Sequence, residues 1–377
     1  MSYNEIKYFS DIGSSSKPAA EIISNAVDLV MAAMHRDYGN KGMTNSFAMS
    51  GSEYEKKNDL VKKAILSFAG SNSGVREIVE KKHLVNAFDN PTFVSIYNAI
   101  VSESLLGIIT KTNPAQIMNF ANISEVDLGD SLTYEIEPKG LPIAQRNSYM
   151  SNVVLTDSFS VTPITVTPKV YSLGSSIDYI RILANNFDFG KEMARVAMGL
   201  LYAQFKLVVG IIFDTANLTG TPLYEATFDA TKYMLMISYL QALNSAGVEA
   251  YGTINAFQAQ GTIATTNYGF ASQDEMVKKG WLGEAYGINN IAIEQATDLS
   301  APFITANLST LLLVPNNKIL LLSNVGDKPV KLVRENFIRV MSKEPKAGSL
   351  YKQDYTYTMA FDAGLATQAH FALQGVA

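Results

Sequence analysis

Three histidines, His35, His83 and His370, are the side chains best suited by type to move a proton or hold a metal ion near neutral pH. They lie far apart, and none has a ligating residue three or four positions on, the spacing that puts two ligands on one helix face. There is no Cys, so thiolate chemistry and disulfides are excluded. Gly70-Ser71-Asn72-Ser73-Gly74 resembles a nucleophile elbow but carries Asn72 where the attacking Ser belongs. Gly280, Gly283 and Gly287 are interrupted by Trp281 and the acidic Glu284, where a phosphate would need open backbone N–H groups, so they read as turns. Glu135 and Glu137 alternate along an extended segment and read as its solvated face. A Ser-His-Asp group assembles only in space, so a hydrolytic enzyme with a spatially assembled site stands as an alternative reading. The residues themselves predict no catalytic centre, no cofactor and no metal.

Composition points away from several other classes. The chain has 377 residues, with 30 Lys and Arg against 35 Asp and Glu, a net charge of −5. A protein that grips nucleic acid needs a basic stripe to displace counterions, so this balance argues against one. Charged residues make up 17%, below the ~25% of ordinary soluble domains. A surface so poor in charge suits one covered by neighbouring subunits, because interface cores are depleted in charge. The opening MSYNEIKYFSDIG lacks the basic and apolar regions of a signal peptide. VAMGLLYAQF and LVVGIIF are parted by Lys206 and closed by Asp214, short of the ~20 residues that span a bilayer. A soluble, intracellular product with no membrane partner is expected.

The elements that must position any function fall into five parts. Residues 1–125 read as a helical arm: one helix from Pro18 to Gly39, a second with Leu60, Val61, Ala64, Ile65 and Phe68 on its apolar side, and a third from Pro91. Polar, glycine-containing links separate them. Residues 126–176 switch to period two. Leu132, Tyr134 and Ile136 alternate with polar residues, and a return segment carries Pro163 and Pro168, which confine it to an edge. Together they predict a long projecting hairpin whose apolar residues lack a partner within the chain. Residues 177–217 hold one long helix, capped by Asp188 and running to Asp214, with Lys191, Arg195, Tyr202 and Lys206 on a solvated face. Residues 218–315 mix a helix from Asp229 to Ala246, a Ser272–Glu275 capping box and the turn-and-strand GWLGEAYGINNIAIEQA. Residues 316–377 are strands, with turns at Pro315-Asn316-Asn317 and Asp362-Ala363-Gly364.

This order of arm, hairpin, long helix, mixed region and closing strands resembles the major capsid proteins of tailed double-stranded DNA bacteriophages, which share the HK97-like fold. GWLGEAYGINNIAIEQA is similar to the glycine-rich turn and central strand of that family's apical domain, and DAGLATQAHFALQGVA to its last strand. The resemblance covers about 250 of the 377 residues and rests on architecture, since the fold has no sharp motif. It implies an α+β chain with an N-terminal arm, an extended loop at 126–176, a spine helix, an apical domain at 218–315, and a peripheral domain closed by 316–377.

The implied function is structural: copies assemble as hexamers and pentamers into an icosahedral shell around double-stranded DNA. An encapsulin-like compartment shell is the alternative within the same fold. Implied partners are the chain itself, a portal protein, scaffolding and minor capsid or decoration proteins, with packaged DNA nearby. Implied locations are the virion capsid and, during assembly, the host cytoplasm. A chain that keeps Met1 implies a separate scaffold or none. Residues expected at contacts between subunits are Leu132, Tyr134, Ile136, Lys139 and Arg146 of the loop, Lys191 and Arg195 of the helix, and Trp281 of the apical turn. Lys139 and Asn336 have the residue types of the covalent cross-link some members form, but no such bond is carried over.

Overall fold

The computed structural model describes residues 16–38, 49–74, 90–111, 115–136, 162–178, 188–216, 218–264, 274–275, 278–295, 312–324, 327–343, 352–367 and 370–376. Its helices are α1 (Ser16–Tyr38), α2 (Gly51–Ser73), α3 (Pro91–Lys111), α4 (Ala115–Phe120), α5 (Phe189–Ile212), α6 (Ala230–Asn244) and α7 (Ile254–Ala264). The strands are β1 (Ala121–Val126), β2 (Leu132–Ile136), β3 (Thr162–Val166), β4 (Lys169–Asp178), β5 (Tyr224–Glu225), β6 (Val248–Gly252), β7 (Glu284–Ala285), β8 (Ile288–Ala292), β9 (Lys318–Ser323), β10 (Val330–Lys343), β11 (Lys352–Leu365) and β12 (Phe371–Gly375). Side chains set the helix starts. Asn90 Oδ1 accepts from Thr92 N and Phe93 N, Asp188 Oδ1 from Lys191 N at 3.0 Å, and Asp229 Oδ1 from Thr231 N and Lys232 N.

The strands form a four-stranded sheet ordered β1-β10-β11-β4, a six-stranded sheet ordered β5-β12-β9-β6-β8-β7, and the ribbon β2-β3. In the first sheet only the β1–β10 pair is parallel. Each of the two larger sheets carries its own core. One core packs α1, α2 and α3 on the inner face of the four-stranded sheet, with Ile338, Tyr355, Tyr357, Met359 and Phe361 at its floor. The other packs α4, α6 and α7 on the six-stranded sheet. Helix α5 belongs to both: Phe189 to Leu201 contribute to the first core, Phe205 to Ile212 to the second. One unbroken rod of 24 residues, roughly 36 Å long, therefore joins the two halves. β10 makes the same crossing, with Val330 and Leu332 in the second core and Ile338 in the first. Both α3 and α5 are long and apolar enough by composition to span a membrane, and each buries its apolar side inside this chain.

Several sequence expectations change. The helices of residues 1–125 are not strung out as an arm. Leu29, Ile65 and Ile100 are fully or almost fully buried against α5 and the sheet, since packing, not the polarity of the links, decides where a helix sits. The apolar side of α2 is Tyr54, Val61, Ile65 and Ala69, which leaves Leu60 67% exposed. β1, counted among helices, pairs with a strand two hundred residues away. Asp362-Ala363-Gly364 is no turn: the three residues pair with Val333, Leu332 and Lys331 inside β11, and the chain leaves the strand after Leu365. The LLLV segment before Pro315 forms no strand in its described part. Val314 is held through both backbone groups by the Gln295 amide.

Side-chain anchors tie these layers together. Arg334, 3% exposed, donates through Nε and Nη2 to Glu125 Oε1 and through Nη1 to the Ile109 carbonyl, joining β10, β1 and α3. Tyr54 Oη donates to the Asp188 cap at 2.8 Å, and the Arg36 guanidinium lies 4.3 Å from the Tyr54 ring centroid. Burial and the neighbouring carboxylate push the Tyr54 hydroxyl well above its ordinary pKa.

Two results are expected from single residues. Gly199 and Gly210 both sit inside α5, where Gly costs ~1 kcal/mol relative to Ala. At Gly210 a Cβ meets nothing within 4 Å, so Gly210→Ala should add up to about 1 kcal/mol of stability by urea titration. At Gly199 it would come 2.5 Å from Leu173 Cδ1, so Gly199→Ala should bring no such gain. Glu103 of α3 is half-buried and has no hydrogen-bond or ion-pair partner among the described residues; desolvation raises its carboxyl pKa. The folded chain thus binds that proton more tightly than the unfolded chain, and the stabilisation it gives at low pH is lost as pH rises through the raised pKa. Glu103→Gln should raise Tm at neutral pH, with the advantage vanishing below about pH 4.

Candidate subunit-interface surfaces

The ribbon β2-β3 is the base of the expected hairpin, with Leu132 opposite Val166, Tyr134 opposite Ile164 and Glu135 opposite Pro163. Pro163 lies on a ribbon strand paired on one side, as its missing N–H requires, and Pro168 falls at the break where the chain leaves β3 for β4. One side is polar and open, with Thr133 and Thr165 hydroxyls 2.9 Å apart. The other side leans on the chain's own body. Tyr134 Oη donates to Ser124 Oγ at 3.0 Å, Lys331 Nζ sits 5.9 Å from the Tyr134 ring centroid, and Val166 is buried against Gly364. A Cβ on residue 364 would meet Val166 Cγ2 at 2.8 Å. Contrary to expectation, the apolar residues of the base thus have an internal partner: Leu132, Tyr134 and Ile136 are half-buried here. Lys139 and Arg146 lie outside the described residues.

A crevice of about 230 Å³ remains between ribbon and body, lined by Tyr134, Glu135, Ile136, Asp327, Lys331 and Thr367. Its ammonium group is partnered: buried Lys331 donates to Asp327 and to the Lys328 carbonyl, and Thr367 Oγ1 donates to the other Asp327 oxygen. Burial raises the Tyr134 hydroxyl pKa. Lys331, Asp327 and Thr367 thus satisfy one another, and the Tyr134 hydroxyl is taken by Ser124.

One further open face carries no assigned residue, and two other places hold the remaining ones, Lys191, Arg195 and Trp281. On the outer face of the four-stranded sheet, Ser172 meets Thr358 at 3.2 Å, and Val170, Phe337 and Met341 are exposed on the same sheet. On α5, Lys191 and Arg195 point outward, Arg195 lying 3.7 Å from Glu192, a solvated face that contributes little. Trp281 turns inward and stacks on Phe257, ring centroids 5.6 Å apart, so its ring serves the second core. The assigned residues therefore do not converge on one patch.

The face that sequence reading missed is on α6. Tyr233, Met236, Ile237 and Leu240 are buried, whereas Met234, Leu235, Tyr239 and Leu243 on the opposite side are 39–61% exposed. The signal was present, because a helix apolar all round needs cover on both sides. As for chemistry, Gly70–Gly74 is the C-terminal end of α2, closed by Gly74 at φ 71°. His35 and His370 make no side-chain bond to a hydroxyl or carboxylate among the described residues, and His83 lies outside them. No cluster of three metal-ligating side chains occurs among the described residues.

Neither a family model nor a curated protein matches the chain. Solved structures do show similarity. A phage-related protein from Bordetella bronchiseptica is 13% identical, with 72% of this chain and 95% of that one covered at a TM-score of 0.46. A virus-like particle from Pyrococcus furiosus is 9% identical, with 74% and 99% covered at 0.41. The capsid of a native GTA particle is 13% identical, with 70% and 90% covered at 0.42. At such identities and scores the likeness is one of outline, and the function of this chain has to be read from its own geometry.

Proposed function

We propose that this chain is a non-enzymatic structural subunit that assembles with copies of itself into a closed shell. One observation carries the reading: a single long helix and one long strand fasten two separately cored halves together, and a hairpin base stands on the flank of one of them. Such a body is stiff through its middle and presents three open faces at once: the outer face of the four-stranded sheet, the polar side of the ribbon and the outward side of α6. Of these, only the outward side of α6 is uncharged; the outer face of the four-stranded sheet also carries Arg339, and the polar side of the ribbon Glu135. Many weak contacts of this kind give a stable closed assembly by multiplicity. In the crevice under the ribbon the ammonium of Lys331 is already taken by Asp327, and no histidine lines it.

The finer reading is an HK97-like capsid protein: hexamers and pentamers enclosing double-stranded DNA in a virion, assembled in the host cytoplasm with portal, scaffolding and decoration partners. The net charge of −5 supports a wall that holds DNA without gripping it. The extended loop at 126–176, with Lys139 and Arg146, would lie over a neighbouring copy. Electron micrographs of the purified chain test this. Closed shells of uniform diameter are the expected image, and a field of discrete two- to four-subunit particles would overturn the reading.

A further inference from the structure

The outward side of α6 has no described partner, and its composition says what can cover it. Fifteen residues make a rod of about 22 Å. Along it Met234, Leu235, Tyr239 and Leu243 form an exposed apolar band, flanked by Ser238, Gln241 and Ala242. The one charge on this helix, Lys232, is already neutralised by Glu225, its Nζ 2.7 Å from Glu225 Oε2. Such a surface offers a charged partner nothing to pair with. Two copies of it meet without like-charge repulsion, which commonly prevents a face from binding its own kind.

Size narrows the partner further. Four side chains on a rod of about 22 Å cover on the order of a few hundred Å², well under the roughly 800 Å² per partner of a stable pairwise complex. The contact is too small to hold a lone dimer and suits one of many repeated contacts in an assembly. The helix is also firmly seated: its inner side packs on β9 and β12, and Asn244 at its end bonds Ser323 Oγ and both backbone groups of His370. The band is therefore a rigid surface, with little to lose in ordering on contact.

We propose that the outward face of α6 packs against a second copy of this chain, an inference that rests on the reading of the chain as a shell subunit. Benzoyl-phenylalanine in place of Tyr239, irradiated in the full chain, tests it directly. The expected product is a covalent dimer on a denaturing gel, mapped by mass spectrometry to a second copy. A second variant, Leu235→Glu with Tyr239→Glu, alters only exposed positions. It should keep the circular dichroism and Tm of the parent while raising the concentration needed for self-association at least tenfold. Shells of the benzoyl-phenylalanine chain that give no cross-link, or shells that the double variant forms at the parent's concentration, would overturn the α6 contact and leave the shell reading standing. Small discrete oligomers that cross-link through residue 239 would do the reverse. A chain that stays monomeric, or that is captured only by an unrelated protein, overturns the α6 proposal.

Discussion

Arg334→Met is expected to lower the stability of the folded chain by about 3 kcal/mol. Breaking a buried ion pair by removing one partner costs roughly 3–5 kcal/mol, and the lower end applies because Glu125 keeps partial contact with water. Three bonds vanish together: two to Glu125 Oε1 and one to the carbonyl of Ile109. That carbonyl lies near the end of α3, where helix carbonyls lack intrahelical donors, so the guanidinium also serves as a cap. The double variant Arg334→Met with Glu125→Leu should recover a sizeable part of the loss, because no unpaired carboxylate is then left beside the strand. Urea titration of the three chains gives the comparison. A single variant within about 0.5 kcal/mol of the parent, the usual scatter of surface changes, would contradict the anchoring role.

Gly190→Ala is expected to cost about 2–3 kcal/mol, within the range for overpacking a filled site. The first turn of α5 is pressed against α1 and α2 there. A Cβ on residue 190 would collide with Tyr54 Oη and come within 3.1 Å of Leu29 Cγ. The same Tyr54 hydroxyl holds the Asp188 cap, so it cannot withdraw without loosening the helix start. Tyr54→Phe removes the colliding atom and the cap bond together. The pair Gly190→Ala with Tyr54→Phe should therefore cost less than the sum of its parts. Thermal unfolding of the two single variants and the double closes that cycle, and strict additivity would show that the hydroxyl is not the obstacle.

How far each signal reaches along the chain decides which elements were legible in the sequence. The start of α5 was visible because the Asp188 side chain caps an N–H only three residues on, and the ribbon because period two is a local property of Leu132, Tyr134 and Ile136. β1 was hidden because its partner β10 lies more than two hundred residues on, and because it comes directly after helix α4. Asp362-Ala363-Gly364 has turn-forming residue types, yet β10 on one side keeps the segment in the ladder; composition yields to pairing there. The polar links between the first three helices suggested looseness, but a link's composition does not say where the helices it joins will pack. The buried sides of those helices did say it: in α2 Val61 and Ile65 were read correctly, whereas Leu60 was included and Tyr54 and Ala69 were left out. Among the candidate contacts, Trp281 was placed through the likeness of its turn to an apical domain, and its ring stacks on Phe257 instead of facing outward. The band on α6 could have been chosen instead, from a helix with apolar residues on every side.

The claim that this chain builds a shell is tested most directly by its mass in solution. Sedimentation velocity of the purified full chain across a range of concentrations should show a sharp megadalton species beside free 41.1 kDa subunit, with little in between. A single species of one to four subunits at every concentration would contradict the account.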